Sequence, residues 1–196
     1  MTTRPEHWLD NLDGYGYITR FLHWSMALLF SWQLITVVMR VLAKDTEVAT
    51  FFWRTHYPLG FTLFLLVLLR GAWGLFNLRR RPGHHGLALG KLAPIGHFLL
   101  YALMIVVPAL AILRAYGRGR GFSPYGITVF DATGVQIPAL VAPGNLLHGW
   151  LGWTLFALIG GHIAIALVHR LVWRDHVFQR MARTTRIKPV ESGPPR

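Results

Sequence analysis

The sequence predicts an all-α integral membrane protein, a four-helix bundle formed by a single domain of 196 residues. Two observations support this prediction. Charged residues make up only 14% of the chain and hydrophobic residues 53%, with a mean hydropathy of +0.40, whereas soluble domains carry about 25% charged residues. Four apolar runs also occur along the chain, each reaching the length of about 20 residues that a helix needs to cross a bilayer.

The four predicted spans lie at 21–42, 51–76, 92–113 and 146–172. The first carries Arg40 near its far end, and the second is interrupted by Arg54, His56 and Arg70. Ionisable side chains within a span usually point into the interior of a bundle. Acidic residues precede the first span, so the N-terminal segment does not resemble a signal peptide.

Charge predicts the orientation of these spans. Both chain ends and the second loop fall on one side, which receives 14 of the 20 Lys and Arg residues. The positive-inside rule therefore predicts that both termini are cytoplasmic, with 173–196 as a basic tail solvated on the anionic leaflet. A net charge of +12 would also suit nucleic acid, but so apolar a chain indicates the lipid bilayer as partner and no nucleic acid.

The third loop, 114–145, is rich in Gly, Pro and aromatic residues. It is longer than a connector needs to be, and such loops are commonly functional or disordered. Its aromatic and apolar content predicts that it packs on the outer face of the bundle, as a lid with or without chemistry of its own.

Histidine is the metal ligand that this composition leaves available. The chain has no cysteine, which excludes disulfides, thiolate metal sites, Fe–S clusters and c-type haem attachment. Ten histidines remain. His7, His84, His85 and His176 fall in polar flanks, where we expect them to be solvated.

Four histidines within the predicted spans form a pattern. His148 and His162 are 14 residues apart in the fourth span, so they share one helix face at two depths about 21 Å apart. His23 in the first span matches the depth of His162, and His56 in the second matches that of His148. Two cross-helix pairs at two depths are what two bis-imidazole haems require, since each iron takes two axial nitrogens.

These histidines also admit other interpretations. A single histidine in a span is more often a hydrogen-bonding or proton-relay residue than a haem ligand. A four-helix transporter that moves protons would use its histidines in this way. A zinc or copper site needs three or four ligands at one point, which two separated depths do not supply. The small residues Gly149, Gly152, Gly160 and Gly161 suit a flat macrocycle, although close helix packing uses glycine as well.

Two further histidines lie near the cytoplasmic ends of spans. His169 is seven residues beyond His162 and faces the same interior, and His97 begins the third span. Each is a candidate for contact with a haem propionate or a quinone, and each fits a snorkelling interfacial side chain equally well.

Several motifs in chain order resemble the bacterial cytochrome b561 family. They are RFLHW at 20–24, RTHYPLG at 54–60, LAPIGHFLLY at 92–101 and the long segment HGWLGWTLFALIGGHIAIALVHRLVWRDHVFQRM at 148–181. The R-x-x-H-W start and the H-x13-H-x6-H span are the most specific parts. The chain departs from the family at Pro94, where many members have another histidine, and over part of the third loop.

The resemblance implies a four-helix protein of the bacterial inner (plasma) membrane that binds two b-type haems and acts on quinone. It implies the ligand pairs His23 with His162 and His56 with His148, the same pairs that the depth argument predicts. It also implies that His169 lies near the cytoplasmic haem and the quinone site. Some relatives resemble superoxide oxidase, which passes an electron from periplasmic superoxide to ubiquinone.

Together these observations predict an oxidoreductase that carries electrons from a periplasmic donor to ubiquinone as substrate. The donor is a small anion such as superoxide, which the arginines around the outer haem would attract, or a periplasmic redox protein. The alternative is a cytochrome b anchor or relay subunit of a larger periplasmic dehydrogenase or hydrogenase. His169, His97 and Trp24 are the candidate quinone residues, with Trp24 also fitting the interfacial aromatic belt.

Overall fold

The computed structural model describes residues 8–12, 14–81, 92–175 and 177–182. Four long helices run through them, and the residues so described contain no β-strand. The helices are α1 (Tyr17–Leu42), α2 (Glu47–Phe76), α3 (Ala93–Gly117), α4 (Pro138–Leu171) and a short α5 (Val177–Ala182). All of α1 to α4 are long and apolar enough to cross a membrane, so the predicted all-α membrane fold is confirmed.

The helices extend beyond the predicted spans, most of all α4. It begins at Pro138, eight residues before the predicted start at 146. Pro138 occupies the first helical turn, where its missing N–H costs nothing, and Pro143 lies inside the helix, which membrane helices tolerate. By composition alone, residues 138–145 resemble a loop. The loop predicted at 114–145 is shorter in the structure, where it covers 118–137.

A buried carboxylate fixes the chain before α1. Asp10 accepts hydrogen bonds from the Gly16 amide at 2.9 Å and the Thr19 hydroxyl at 2.6 Å, and it forms an ion pair with Arg81 at 3.3 Å. The Trp73 indole in turn donates to the Thr19 hydroxyl at 2.9 Å. This network ties the N-terminal segment to the end of α2.

The predicted tail begins with structure. Within α5, the Arg180 carbonyl accepts a hydrogen bond from the Tyr15 amide at 3.3 Å, and the Met181 carbonyl accepts one from the Trp24 indole at 3.3 Å. The first residues of the tail thus lie against the start of α1. The predicted solvated histidines His7, His84, His85 and His176 lie outside the described residues.

The four long helices pack as two hairpins. Helix α1 packs closely on α2 and α3 on α4, while α2 and α3 pack less extensively. Among the described residues, α4 makes no extensive backbone approach to α1 or α2. The buried core contains Met26, Val67, Leu100, Met104 and Leu155, so all four helices contribute to one central apolar layer.

We call the end that carries α5 and the starts of α1 and α3 the termini end, and the end that carries 43–46 and 118–137 the loop end. At the loop end, two glycines allow α3 and α4 to approach. A Cβ atom on Gly144 would lie 2.7 Å from both the Leu110 carbonyl oxygen and the Arg114 Cβ, and one on Gly117 would lie 2.8 Å from the Leu140 Cβ. Backbone atoms cannot yield as a flexible side chain would.

Replacing Gly144 with alanine should therefore lower the stability of the α3–α4 hairpin by about 1–3 kcal/mol, the usual cost of overpacking. Thermal unfolding of the purified protein, followed by its helical circular dichroism, measures this. Gly149→Ala is the matched control on the same helix, because a Cβ there meets nothing within 4 Å and alanine favours helix. A lower melting temperature for the control, or an unchanged one for Gly144→Ala, would contradict the prediction.

Candidate functional site

The structure brings the four span histidines together in two pairs. His23 of α1 faces His162 of α4 with ring centroids 6.3 Å apart and planes at 72°. His56 of α2 faces His148 of α4 with ring centroids 6.4 Å apart and planes at 85°. We call these the termini-end pair and the loop-end pair. Each joins α4 to a helix against which it does not pack closely.

An apolar layer lies between the pairs. On α4, the buried Leu155 stands seven residues from each ligand candidate, at the centre of the core with Met26 and Val67. Seven residues correspond to about 10 Å along a helix axis. The two pairs are thus separate sites with apolar side chains between them.

Hydrogen bonds orient the loop-end pair. The Thr36 hydroxyl donates to the Gln33 carbonyl at 2.7 Å, and its oxygen lies 2.9 Å from the His56 Nδ1. The His148 Nδ1 donates to the Val107 carbonyl at 2.9 Å. The His148 ring therefore carries its proton on Nδ1 and leaves Nε2 available, as metal-ligating histidines usually do. Of the two contacts of the His56 Nδ1, the Thr36 oxygen fits a protonated nitrogen, and the Gln33 side-chain nitrogen, 3.1 Å away, fits an unprotonated one.

Aromatic stacking adds to this support. The Trp53 ring stacks on the His56 ring at 4.7 Å and 16°, and the Arg40 guanidinium lies 5.4 Å from the Trp53 ring centroid. The His56 ring is therefore held on one face as well as at Nδ1.

Arginine distinguishes the termini-end pair. The Arg70 guanidinium lies 3.3 Å from the His23 Nδ1 and 5.4 Å from the Tyr101 ring centroid. Its Nε is buried and has no hydrogen-bond partner among the described residues. An arginine side chain can only donate hydrogen bonds. A metal ion on the His23 Nε2 would require the proton on Nδ1, and this nitrogen could then no longer accept a hydrogen bond from Arg70. The Arg70 guanidinium would therefore turn towards another acceptor. A carboxylate such as a haem propionate fits this unsatisfied donor.

The separation within each pair fits one metal ion between two imidazoles. A metal–imidazole bond is about 2.0–2.1 Å long and a ring centroid lies about 1 Å behind its nitrogen, so opposed ligands leave centroids roughly 6 Å apart. The measured 6.3 and 6.4 Å agree with this.

A small residue follows each of the four histidines by four positions, on the same helix face. These residues are Ala27, Gly60, Gly152 and Ala166. A Cβ on Gly152 would meet nothing within 4 Å, and one on Gly60 only the Gln33 side-chain nitrogen at 3.4 Å. Space beside each ring is what a flat macrocycle needs. All four span histidines carry this H-x3-(Gly/Ala) spacing, a signal that the sequence analysis did not use.

The four glycines singled out in the sequence do not serve close helix packing. A Cβ on Gly149, Gly152, Gly160 or Gly161 would meet nothing within 4 Å. Gly152 is about 40° round the helix from His148, whereas Gly160 is about 120° away. Of these two glycines, Gly152 is the one on the helix face that carries His148. Gly117 and Gly144, at the contact between α3 and α4, do admit a neighbouring helix.

The three candidate quinone residues differ in their surroundings. The His97 ring lies 5.5 Å from that of His162, and the Trp24 ring lies 5.4 Å from that of His23. The Trp24 indole N–H is engaged by the Met181 carbonyl, so Trp24 offers an aromatic wall rather than a donor. His169 is buried and bonded to Asp175, a partner that the sequence analysis did not identify.

The loop at 118–137 covers part of the loop end. Phe122 is buried and its ring lies 4.7 Å from that of Tyr57 on α2, while the Tyr125 hydroxyl lies 2.8 Å from that of Thr62. A short bridge between Phe122 and Phe130 closes the loop on itself. The loop is therefore an ordered cover fixed to α2.

The comparisons with known proteins agree with this architecture. The family model described as Prokaryotic cytochrome b561 matches residues 14–184. The protein named Cytochrome b561 homolog 2 of Escherichia coli (strain K12) is 25% identical over 174 residues, covering 86% of this chain and 91% of that protein. The Probable superoxide oxidase CybB of Yersinia pestis is 26% identical over 165 residues, covering 82% and 90%. Since the family model spans most of the chain, this protein belongs to the prokaryotic cytochrome b561 family of haem-binding membrane electron-transfer proteins.

Proposed function

We propose that this protein carries electrons through the membrane on two b haems, from a donor at the loop end to ubiquinone at the termini end. His56 and His148 would hold one haem, and His23 and His162 the other. The observation that carries the proposal is the pair of ring separations, 6.3 and 6.4 Å, between helices that do not otherwise pack closely. When bound, haem supplies reversible one-electron chemistry at its iron.

The residues of the chain would hold, orient and insulate this chemistry. The Thr36 and Val107 oxygens would keep the loop-end imidazoles in the ligating tautomer, and Arg70 would neutralise a propionate at the other site. The layer around Leu155 would exclude water from the path between them. These roles follow from the contacts measured above.

The proposed acceptor site is the region of His169, His97 and the Trp24 ring. A quinone head group needs hydrogen-bond donors at its carbonyls and a source of protons, and histidine suits both roles near neutral pH. The proposed orientation, with both termini in the cytoplasm of a bacterium and the loop end in the periplasm, follows from the positive-inside rule. Protons for quinone would then come from the cytoplasmic side.

Optical spectroscopy tests the haem assignment directly. Dithionite-reduced minus oxidised spectra of the purified protein should show b-type bands, with about two haems per chain by pyridine haemochrome analysis. Addition of ubiquinone-1 to the reduced protein should reoxidise both. One haem per chain, or reduced haem stable towards ubiquinone-1, would contradict the proposal.

Superoxide is the donor that we propose. Arg54, Arg114, Arg118 and Arg120 lie at the loop end, and Arg114 packs against Gly144, about one helical turn before His148. Superoxide should therefore reduce the protein rapidly, and several-fold faster at low ionic strength than at high, because salt screens the attraction. Pulse radiolysis at two salt concentrations measures this rate.

A second function is favoured by a different observation. Tyr125, Ile127 and Val129 of the loop are exposed, Ile127 by 70%, and exposed apolar side chains suit a docked protein. The chain would then be the relay subunit of a periplasmic dehydrogenase or hydrogenase. Slow reduction by superoxide at a rate independent of salt would favour this function over the first.

A further inference from the structure

The turn after α4 folds back on the helix. The Val172 and Trp173 amides both donate to the Val168 carbonyl, at 2.9 and 3.1 Å, and the Asp175 amide donates to the His169 carbonyl at 3.2 Å. Arg174 takes a left-handed conformation with a φ of 52°, a position at which helices usually use glycine. A non-glycine residue pays a steric cost there, so other contacts must hold the turn.

The main such contact joins a histidine to a carboxylate. The His169 Nδ1 and the Asp175 Oδ2 are 2.5 Å apart, and the other carboxylate oxygen accepts from the Val177 amide at 3.1 Å. The Trp173 ring meets the His169 ring edge-on at 4.6 Å. Both the position and the rotation of the imidazole are therefore fixed.

The pair connects the bundle interior with its surface. The His169 side chain is 8% exposed and that of Asp175 is 23% exposed. Burial acts to raise the pKa of Asp175, but the hydrogen bonds from His169 and the Val177 amide outweigh it and hold that pKa below its ordinary value. Arg180 on α5 also acts on this carboxylate. Asp175 is thus ionised at neutral pH, where it can balance a proton on the imidazole.

We propose that Asp175 is a positioning residue that keeps His169 oriented and protonated, so that His169 supplies a proton to ubiquinone. This inference rests on the proposed function. Ubiquinone becomes ubiquinol by taking up two protons and two electrons, which the two haems of the proposed function would supply. The His169 Nε2–H gives one of these protons to a quinone oxygen and the other comes from water. The neutral ring keeps its Nδ1–H on Asp175 and regains a proton from water after ubiquinol leaves.

The Asp175→Asn variant tests this role, because an amide keeps the shape of the side chain but cannot balance a positive charge. Dithionite-reduced wild type and variant are mixed with ubiquinone-1 and haem reoxidation is followed from about pH 5 to about pH 8. We expect full haem content, reoxidation about 10- to 100-fold slower at neutral pH, and a decline in rate with rising pH that begins at lower pH than in the wild type. Asp175→Glu should restore much of the rate.

A second measurement does not depend on turnover. The ¹⁵N resonances of the histidine rings in the reduced holoprotein should show that His169 loses its second ring proton at lower pH in Asp175→Asn than in the wild type. Asp45→Asn is the matched control, since it removes the same charge from an exposed position in the α1–α2 loop, and it should leave rate and pH profile unchanged.

The outcomes separate the two proposals. A wild-type rate and pH profile in Asp175→Asn would overturn the role of Asp175 while the quinone function stands. An equal loss in Asp175→Asn and Asp175→Glu, with an unchanged pH profile and unchanged ¹⁵N titration, would show a structural role and also overturn it. A wild-type protein that ubiquinone-1 does not reoxidise would contradict the proposed function itself, and this inference with it.

Discussion

A protein with His56 replaced by alanine should bind one haem per chain instead of two, and the haem that remains should be the one at the termini-end pair. His148→Ala should give the same spectrum, since the two rings belong to one site. Each variant removes one of the two axial nitrogens that a bis-imidazole haem requires. Pyridine haemochrome content, with electron paramagnetic resonance of the oxidised protein, distinguishes the haem that is left.

His23→Ala and His162→Ala should give the complementary result, with the loop-end haem retained. The central layer around Leu155 separates the two sites, so the loss of one haem should leave the other in place. If His23→Ala and His56→Ala removed the same haem, the proposed pairing would be wrong. His97→Ala is a useful control, because His97 lies beside His162 but is not a proposed ligand.

Filling the space beside the loop-end pair should have an effect nearly as large. Gly152→Leu places a branched side chain on the face of α4 that carries His148, in space where a Cβ meets no other atom. We expect loss of the loop-end haem, so that about one haem remains per chain. We also expect reduction by superoxide to be about tenfold slower or more, because a steric obstruction in a binding site commonly lowers a rate by this factor. Haem content and pulse radiolysis measure both effects.

Gly160→Leu provides the comparison on the same helix. Its Cβ also enters open space, but Gly160 is exposed and lies about 120° from His148 round the helix. Leucine there should leave both haems bound, because lipid tails accommodate an added apolar side chain. Equal haem loss in the two variants would show that open space at Gly152 does not belong to a haem site.

The sequence was sufficient to predict the four long helices, since length and hydropathy dominate in a membrane. It also predicted that His23 lies opposite His162 and His56 opposite His148, because helix geometry fixes depth along an axis. The sequence analysis began the fourth span eight residues after the start of α4, because Pro143 and Gly144 suggest a loop. The structure explains both residues, since a membrane helix tolerates proline and Gly144 lies in close contact with Leu110.

Side-chain contacts made by a turn or between two helices were harder to predict. Asp175 follows α4 in a turn whose left-handed Arg174 has no sequence signal, so nothing in the pattern placed this carboxylate on His169. Thr36 likewise appears as an ordinary apolar-span residue until α2 brings His56 to it. Side-chain partners across helices depend on rotation about each axis, which periodicity constrains only loosely.

The arrangement of the long helices as two hairpins also bears on how the protein is made. Each hairpin has its own closely packed interface, and the histidine pairs bridge the seam between them. Each hairpin can therefore enter the bilayer and pair internally before the seam closes. Any ligand seated in the seam contributes its binding free energy to holding the halves together. The cellular supply of that ligand would then govern how much of the chain escapes proteolysis, as well as how much of it is active.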